Sequence, residues 1–426
     1  MNSNAQYPLT FSSDSELVEI ARTFGTPILV HNENSYNHYA NEMLNIPNAF
    51  GHTVRYAMKA NSHRSILQIF DRIGLHIDAS SYYEVQRALA AGISPEKIML
   101  TSQQVLSAET VKELVCKGVI YCSVSLNQLK ICASVQTELK TPLSVRINPG
   151  LGSGHNNRTN TAGVSASFGI WHEYLPEVLA VAESYGLKIE RVHTHVGSGS
   201  DWKVWQKAAA LTLDIVRKMP DVKIVNLGGG YKIDRIYPSR SINLHEVFSV
   251  IKNDFEKFSK ETGRSLYLEV EPGTYLSANS CMLLTKVNDI VNTGKNGYTF
   301  IKVDASMTEL LRPMIYGAKH PIRLLGKENE TRQDYVVVGC CCESGDIFTV
   351  KEGDPELIDT VKLPITETGD CIAIMGAGAY GISMSAKNYN SRPVCAEVMI
   401  RSDGSVIEIS RRQKLEEIWE REVSLY

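Results

Sequence analysis

The sequence predicts an α/β protein, a (β/α)8 TIM-type barrel plus a C-terminal β-rich domain, on three observations. Short apolar strands alternate with amphipathic helices from about residue 53 to residue 270; beyond Thr274 strands follow one another without helices; and charged or glycine-rich residues fall where the apolar strands stop. A chain of 426 residues, 43% hydrophobic and 21% charged, has the material for two cores.

Apolar residues at helical spacing predict a helix over 13–24, followed by a strand over 26–31 and a helix over 35–44. The regular alternation then begins. Strands are expected at 54–58, 76–78, 98–100, 119–124, 143–147, 192–196, 224–227 and 267–270. The helices between them are expected at 64–73, 83–91 (stopped by Gly92), 108–117, 126–135, 173–185, 204–218 and 244–262. A doubly wound open sheet is the competing architecture, but it would want a glycine-rich turn after its first strand, and none stands there. Further strands at 283–291, 299–303, 335–338, 371–375, 395–400 and 406–410 make the second, β-rich domain. The expected division is a barrel over 28–278 and a β-rich domain built from 1–27 and 279–426.

Composition excludes several classes. A net charge of -3 from scattered Lys, Arg, Asp and Glu gives no field for nucleic acid. The stretch Met1-Asn-Ser-Asn-Ala-Gln-Tyr7 lacks the basic and apolar regions of a signal peptide, and no apolar run reaches membrane-spanning length, so a cytoplasmic protein with no membrane partner is expected. The nine cysteines include no CxxC pair and are read as reduced thiols, with no metal site.

In a barrel, functional residues sit at the C-terminal ends of the strands. Lys59 ends the first strand, Asp78 the second, Arg146 and Asn148 the fifth, His195 the sixth, Gly228-Gly229-Gly230 the seventh and Glu271 the eighth. A lysine at a strand end caps the strand in solvent, or serves as an amine nucleophile whose pKa desolvation lowers. Three glycines form a tight turn, or let backbone N–H groups approach a phosphate, with Ser198 in Gly197-Ser198-Gly199-Ser200 adding a hydroxyl. A glutamate is usually at the surface, but the apolar strand before Glu271 argues for burial. His193 and His195 are expected on opposite faces, so that one of them reaches the barrel mouth. Amine, aromatic ring, phosphate-type glycines and buried carboxylate together match what pyridoxal 5'-phosphate requires of a protein. In the β-rich domain, Gly339-Cys340-Cys341-Cys342-Glu343-Ser344-Gly345-Asp346 and Gly376-Ala-Gly-Ala-Tyr380-Gly381 are either hairpin turns or site loops.

Six segments carry a family resemblance: Tyr56-Ala-Met-Lys-Ala-Asn61, His195-Val-Gly-Ser198, Gly228-Gly-Gly230, Glu271-Pro-Gly273, Cys342-Glu-Ser-Gly-Asp346 and Gly378-Ala-Tyr-Gly381. Together, over roughly residues 26–400, they resemble the ornithine/diaminopimelate/arginine decarboxylase family of the alanine-racemase-like barrel fold, especially its diaminopimelate branch. The resemblance implies the conversion of meso-diaminopimelate to L-lysine and CO2 by a homodimer with shared active sites. Lys59 then resembles the Schiff-base lysine, His195 the ring stacked on the cofactor, and Glu271 the partner of the pyridine nitrogen, with Asp78 also in the cofactor site. Ser198, Gly228 to Gly230 and Tyr380 look like the phosphate cradle. Cys342 is similar to the proton donor and Glu343 to the residue that binds the distal ammonium group, both reaching the partner's barrel. Arg312 and Tyr316 resemble residues that hold the distal carboxylate, with Tyr380 also near the substrate.

Two positions depart from the family pattern. Thr274 stands where Glu-Pro-Gly is usually followed by arginine, and Ser167-Phe168-Gly169 stands where the family has Lys-Phe-Gly. The first bears on the substrate, leaving a lysine- or ornithine-like diamino acid as the alternative; the second removes the expected ion-pair partner of Asp346. Other classes make different demands. A racemase would need a tyrosine base in the second domain and no Cys-Glu pair, a barrel-only carrier of the cofactor would lack the second domain, and a non-catalytic regulator would be expected to lose Lys59 or Cys342.

Overall fold

The computed structural model describes residues 12–152, 162–199, 201–236, 240–327 and 331–426. Ser200 of the predicted hydroxyl-rich loop lies outside them. The chain divides into two compact units. The barrel unit spans Asn37–Ile233 and Arg240–Leu276; the β unit comprises the described parts of Met1–Tyr36, Asp234–Ser239 and Ser277–Tyr426.

The barrel strands are β1 (His52–Ala57), β2 (His76–Ala79), β3 (Ile98–Leu100), β4 (Ile120–Ser123), β5 (Leu143–Asn148), β6 (Ile189–His193), β7 (Ile224–Asn226) and β8 (Tyr267–Val270). Every neighbouring pair is parallel, and β8 pairs with β1, which closes the ring. Helices follow the strands because each has an apolar stripe and a start signal. The helix Arg64–Ile73 buries Ile66, Leu67, Ile69 and Phe70 and stops at Gly74, which takes the left-handed conformation. Ser81, Ser107 and Ser125 each cap a helix by accepting an N–H from three residues on. Register then decides what meets at the C-terminal end: Arg146 on β5 lies opposite His193 on β6, and His193 lies opposite Asn226 on β7.

Two expectations need correction. The sixth strand runs Ile189–His193, not 192–196, so His195 lies in the loop beyond it. Its first half escaped the apolar criterion because Glu190 and Arg191 are polar, yet both are fixed by ion pairs, Glu190 with Lys223 and Arg191 with Glu269. The strand Ile28–Asn32, assigned to the barrel by the 28–278 boundary, is a central strand of the β unit. It pairs antiparallel with Cys281–Asn292 and parallel with Ala396–Ile400. All five of its residues are buried, and a strand covered on both faces reads alike in a barrel and in a sheet centre.

The β unit is a mixed sheet organised on the long strand Cys281–Asn292. Alternate residues of its strands face two cores: Leu29, Leu283, Ile301 and Val337 point one way, while Ile28, Val30, Met282 and Leu284 point the other, under Leu17 and Ile20 of the helix Asp14–Phe24. The short strands Ile322–Leu324 and Val361–Pro364 were missed, since three or four residues show too little alternation to read. No helix among the described residues is long and apolar enough to cross a membrane.

Candidate active site

The lysine comes first. Strand β1 ends at Ala57, and Lys59 sits on a 3-10 turn, Met58–Ala60, whose other two residues are buried while Lys59 is exposed. Its ammonium bears on the titratable groups Asp78, Glu84, His193, His195 and Glu271. The turn is laced to the end of β8: the Ala57 N–H donates to Pro272 O at 3.1 Å, and a Cβ on Gly273 would press on Ala57 and Ala60 at 3.2–3.3 Å.

Glu271 follows β8 directly and is buried. Asn226 Nδ2 donates to its Oε1 at 2.7 Å, and His193 Nε2 lies 3.2 Å from its Oε2. Burial opposes ionisation of this carboxyl, but the surrounding positive and N–H-bearing groups outweigh it and hold Glu271 below the usual carboxylate range. Asp78 goes the other way. Burial first, and the Glu271 charge second, push it well above its ordinary value, and its Oδ1 has no hydrogen-bond partner. Two neighbouring carboxyls are thus pushed in opposite directions, the pattern that separates roles in catalytic sites.

His193 and His195 were expected on opposite faces, but both lie beside Glu271: residues two apart on an extended chain share a side, so the expectation misassigned the alternation. Burial lowers both imidazoles, His195 well below its ordinary value, so both rings are neutral at neutral pH. His195 Nδ1 accepts the Gly229 N–H at 3.2 Å, which places its proton on Nε2.

The three glycines are required sterically. A Cβ at Gly228 would lie 2.6 Å from His195 Nδ1, at Gly229 2.0 Å from Glu271 O and at Gly230 1.8 Å from Gly197 O. Two of their three amides donate inward, Gly228 to Asn226 Oδ1 at 2.8 Å and Gly229 to His195, contrary to the expectation that the triple turns its N–H groups outward to an anion. Ser198 is exposed at the same mouth. Arg146, buried, stacks on Phe168 with its guanidinium 5.2 Å from the ring centre; Phe168 is the middle residue of the departing Ser-Phe-Gly segment. Sequence reading left three residues of this cluster without a role: Asn226, His193 and Arg146. The signal was available for Asn226, a polar residue inside an apolar strand directly before the glycines.

The β unit holds the remaining candidates. Cys342 and Glu343 are exposed in a loop whose backbone is fixed: the Cys342 N–H donates to Asn390 Oδ1 at 2.7 Å, and Asp346 accepts the N–H groups of Met307 (2.8 Å) and Cys341 (2.9 Å). Asp346 is buried and takes N–H groups from Cys341 of its own loop and from Met307 of another segment, so the missing lysine leaves it with partners. Arg312 starts a short helix, Arg312–Tyr316, with its guanidinium 5.8 Å from the centre of the Tyr316 ring and its buried Nε without a hydrogen-bond partner. Tyr380 adopts φ +54°, a left-handed conformation unusual for a tyrosine and of the kind stored at functional loops.

A family model described as "Pyridoxal-dependent decarboxylase, pyridoxal binding domain" matches residues 36–278. The chain is 31% identical to diaminopimelate decarboxylase of Escherichia coli K12 over 96% of this chain and 97% of the relative. It is 35% identical to that of Streptomyces coelicolor over 85% and 82%. The chain belongs to the pyridoxal-dependent decarboxylases. Among solved structures, a crystal structure of diaminopimelate decarboxylase superposes with TM-score 0.88 at 30% identity, covering 98% of this chain and 99% of that one. The Helicobacter pylori diaminopimelate decarboxylase complexed with L-lysine superposes with TM-score 0.82 at 29% identity over 95% and 99%. The cofactor of this decarboxylase fold is pyridoxal 5'-phosphate, and the barrel mouth suits it: an accessible amine, a neutral ring and an ionised carboxylate are gathered at one end. Among the described residues no group of His, Cys, Asp and Glu could hold a metal ion.

Proposed function

We propose that this decarboxylase converts meso-diaminopimelate to L-lysine and CO2, as a homodimer with shared sites, in the cytoplasm. The observation that carries the reading is the charge set at the barrel mouth, an ionised Glu271 among neutral histidines beside the exposed Lys59. It is supported by the diaminopimelate decarboxylases that this chain resembles along most of its length. The free thiols among all nine cysteines agree with a reducing compartment.

Bound pyridoxal 5'-phosphate supplies an electron sink for the pair released when the Cα–carboxylate bond breaks. The chain's residues do the rest. Lys59 Nζ would hold the cofactor, and its exposure leaves room beside it for a substrate amine. Glu271 would keep a proton on the ring nitrogen, and the neutral His195 would lie beside the ring. Cys342 Sγ delivers one proton to Cα as CO2 departs, so that a carboxylate carbon is replaced by hydrogen. Glu343 pairs with the distal ammonium group, while Arg312 and Tyr316 hold the distal carboxylate. Ser198, Gly230 and Tyr380 are assigned to the phosphate.

Thr274 favours a second reading, a diamino acid without the distal carboxylate. The bidentate capacity of Arg312 favours the first. Assays of CO2 release with meso-diaminopimelate, lysine and ornithine, on the wild type and on Arg312→Ala, separate them. Diaminopimelate is the expected preference, with Arg312→Ala lowering its kcat/KM by about 10- to 150-fold, the worth of a charge-assisted hydrogen bond. Preference for lysine or ornithine, or unchanged diaminopimelate turnover in Arg312→Ala, would reject the assignment.

A further inference from the structure

We propose that Asn226 is a positioning residue that holds Glu271 in place and in its ionised state, touching neither cofactor nor substrate itself. The inference rests on the reading of Glu271 as the partner of the cofactor's ring nitrogen. Asn226 ends β7 with no solvent exposure. Its Nδ2 donates to Glu271 Oε1 at 2.7 Å and reaches Glu269 Oε2 at 3.4 Å, and its Oδ1 accepts the Gly228 N–H at 2.8 Å. This orientation is dictated by its neighbours, since an ionised carboxylate can only accept and a backbone N–H can only donate.

Below Glu271 the barrel interior is anchored. Glu269, two residues earlier and on the same side of the chain, receives Arg55 Nη2 at 2.8 Å and Arg191 Nε at 3.0 Å. Arg55 also donates to Lys97 O, and Arg191 to Ser144 Oγ, so the ion triad is tied to several strands and their loops. These contacts hold Glu269 ionised although burial opposes it. Asn226 is the bridge from this fixed layer to Glu271. An amide can donate to both carboxylates and accept from the glycine turn; an ionised aspartate cannot donate, and leucine can do neither. Asparagine therefore couples two things the cofactor site needs, the rotamer of Glu271 and the turn at Gly228 that seats His195.

Asn226→Asp is isosteric and would put a third carboxylate between Glu269 and Glu271. Because Glu269 already has two arginines, the proton this crowding draws in is shared by the introduced carboxyl and Glu271. The test uses purified protein stripped of and then titrated with pyridoxal 5'-phosphate, for wild type, Asn226→Asp, Asn226→Leu and Glu271→Gln. It records the dissociation constant, the pH dependence of the bound cofactor's absorption, and thermal unfolding of each apoprotein. We expect Asn226→Asp to mimic Glu271→Gln, weakening binding by about 10- to 100-fold and shifting the absorption profile in the same direction. Should Asn226→Asp fail to fold, Asn226→Leu decides on the same readouts. A folded Asn226 variant with wild-type affinity and profile, beside an altered Glu271→Gln, overturns the role of Asn226 alone. An unaltered Glu271→Gln overturns the reading beneath it as well.

Discussion

Glu271 in the barrel and Glu343 in the β unit are both assigned to a positively charged partner, yet their surroundings differ completely. Glu271 is buried, receives Asn226, lies against His193 and is held ionised by its own chain. Glu343 is exposed; its Oε1 accepts the Gly345 N–H of its own loop at 3.2 Å and a 3.5 Å contact from Ser344. The same contrast separates Lys59, enmeshed in a field of titratable neighbours, from Cys342, whose backbone is pinned by Asn390 while its side chain is exposed. The barrel presets the state of its groups. The loop presets the place of its backbone and leaves these two side chains exposed.

The largest effects should come from breaking one group on each side. Lys59→Ala and Cys342→Ala are each expected to lower kcat by about a thousandfold or more, and borohydride reduction of wild type should fix the cofactor on the peptide containing Lys59. Mixing the two inactive variants under conditions of subunit exchange should restore roughly a quarter of wild-type activity, because about half the dimers are then hybrids with one intact site. No recovery after exchange has been demonstrated by mass spectrometry means the sites are not shared.

A pair of glycine substitutions sharpens the contrast between preset barrel and open loop. Gly230→Ala places a Cβ 1.8 Å from Gly197 O at φ +95°, and should destabilise the barrel by about 2 kcal/mol or more, measured by urea unfolding. Gly345→Ala meets only Glu343 Oε1 at 3.7 Å and should change stability by less than about 0.5 kcal/mol. Equal losses would mean that the loop is packed as tightly as the barrel mouth.

A further expected effect is a pH dependence inside the β unit. Glu309, buried and bonded to Thr308 Oγ1 and the Ser306 N–H, is raised to about 7 by burial, against which those bonds act. A carboxyl raised in the folded state contributes stability that is full below its unfolded value near 4.5 and is lost as pH rises through about 7. Glu309→Gln should therefore gain in melting temperature relative to wild type between about pH 5 and pH 8. A constant difference across that range would show that Glu309 does not titrate there.

Much of this molecule is written locally. The helices Arg64–Ile73 and Leu244–Thr262 run as their spacing predicts, because amphipathic periodicity, a capping residue and a terminal glycine act within a few residues of one another. The closed barrel follows from the count of alternating units, and the strand-end rule locates Lys59, Asp78, Arg146 and Glu271 at one end of it. What only the tertiary structure decides is pairing and charge. Whether Ile28–Asn32 joins the barrel or the sheet depends on Cys281–Asn292 and Ala396–Ile400, hundreds of residues away. How far Asp78 and Glu271 are pushed apart depends on burial and on His193, His195 and Lys59, which different strands and their turns bring together. The sequence by itself determines which residues are chemically able and where along each strand they stand. Their ionisation is set by distances across the fold, because electrostatic and desolvation energies depend on separation in space and not along the chain.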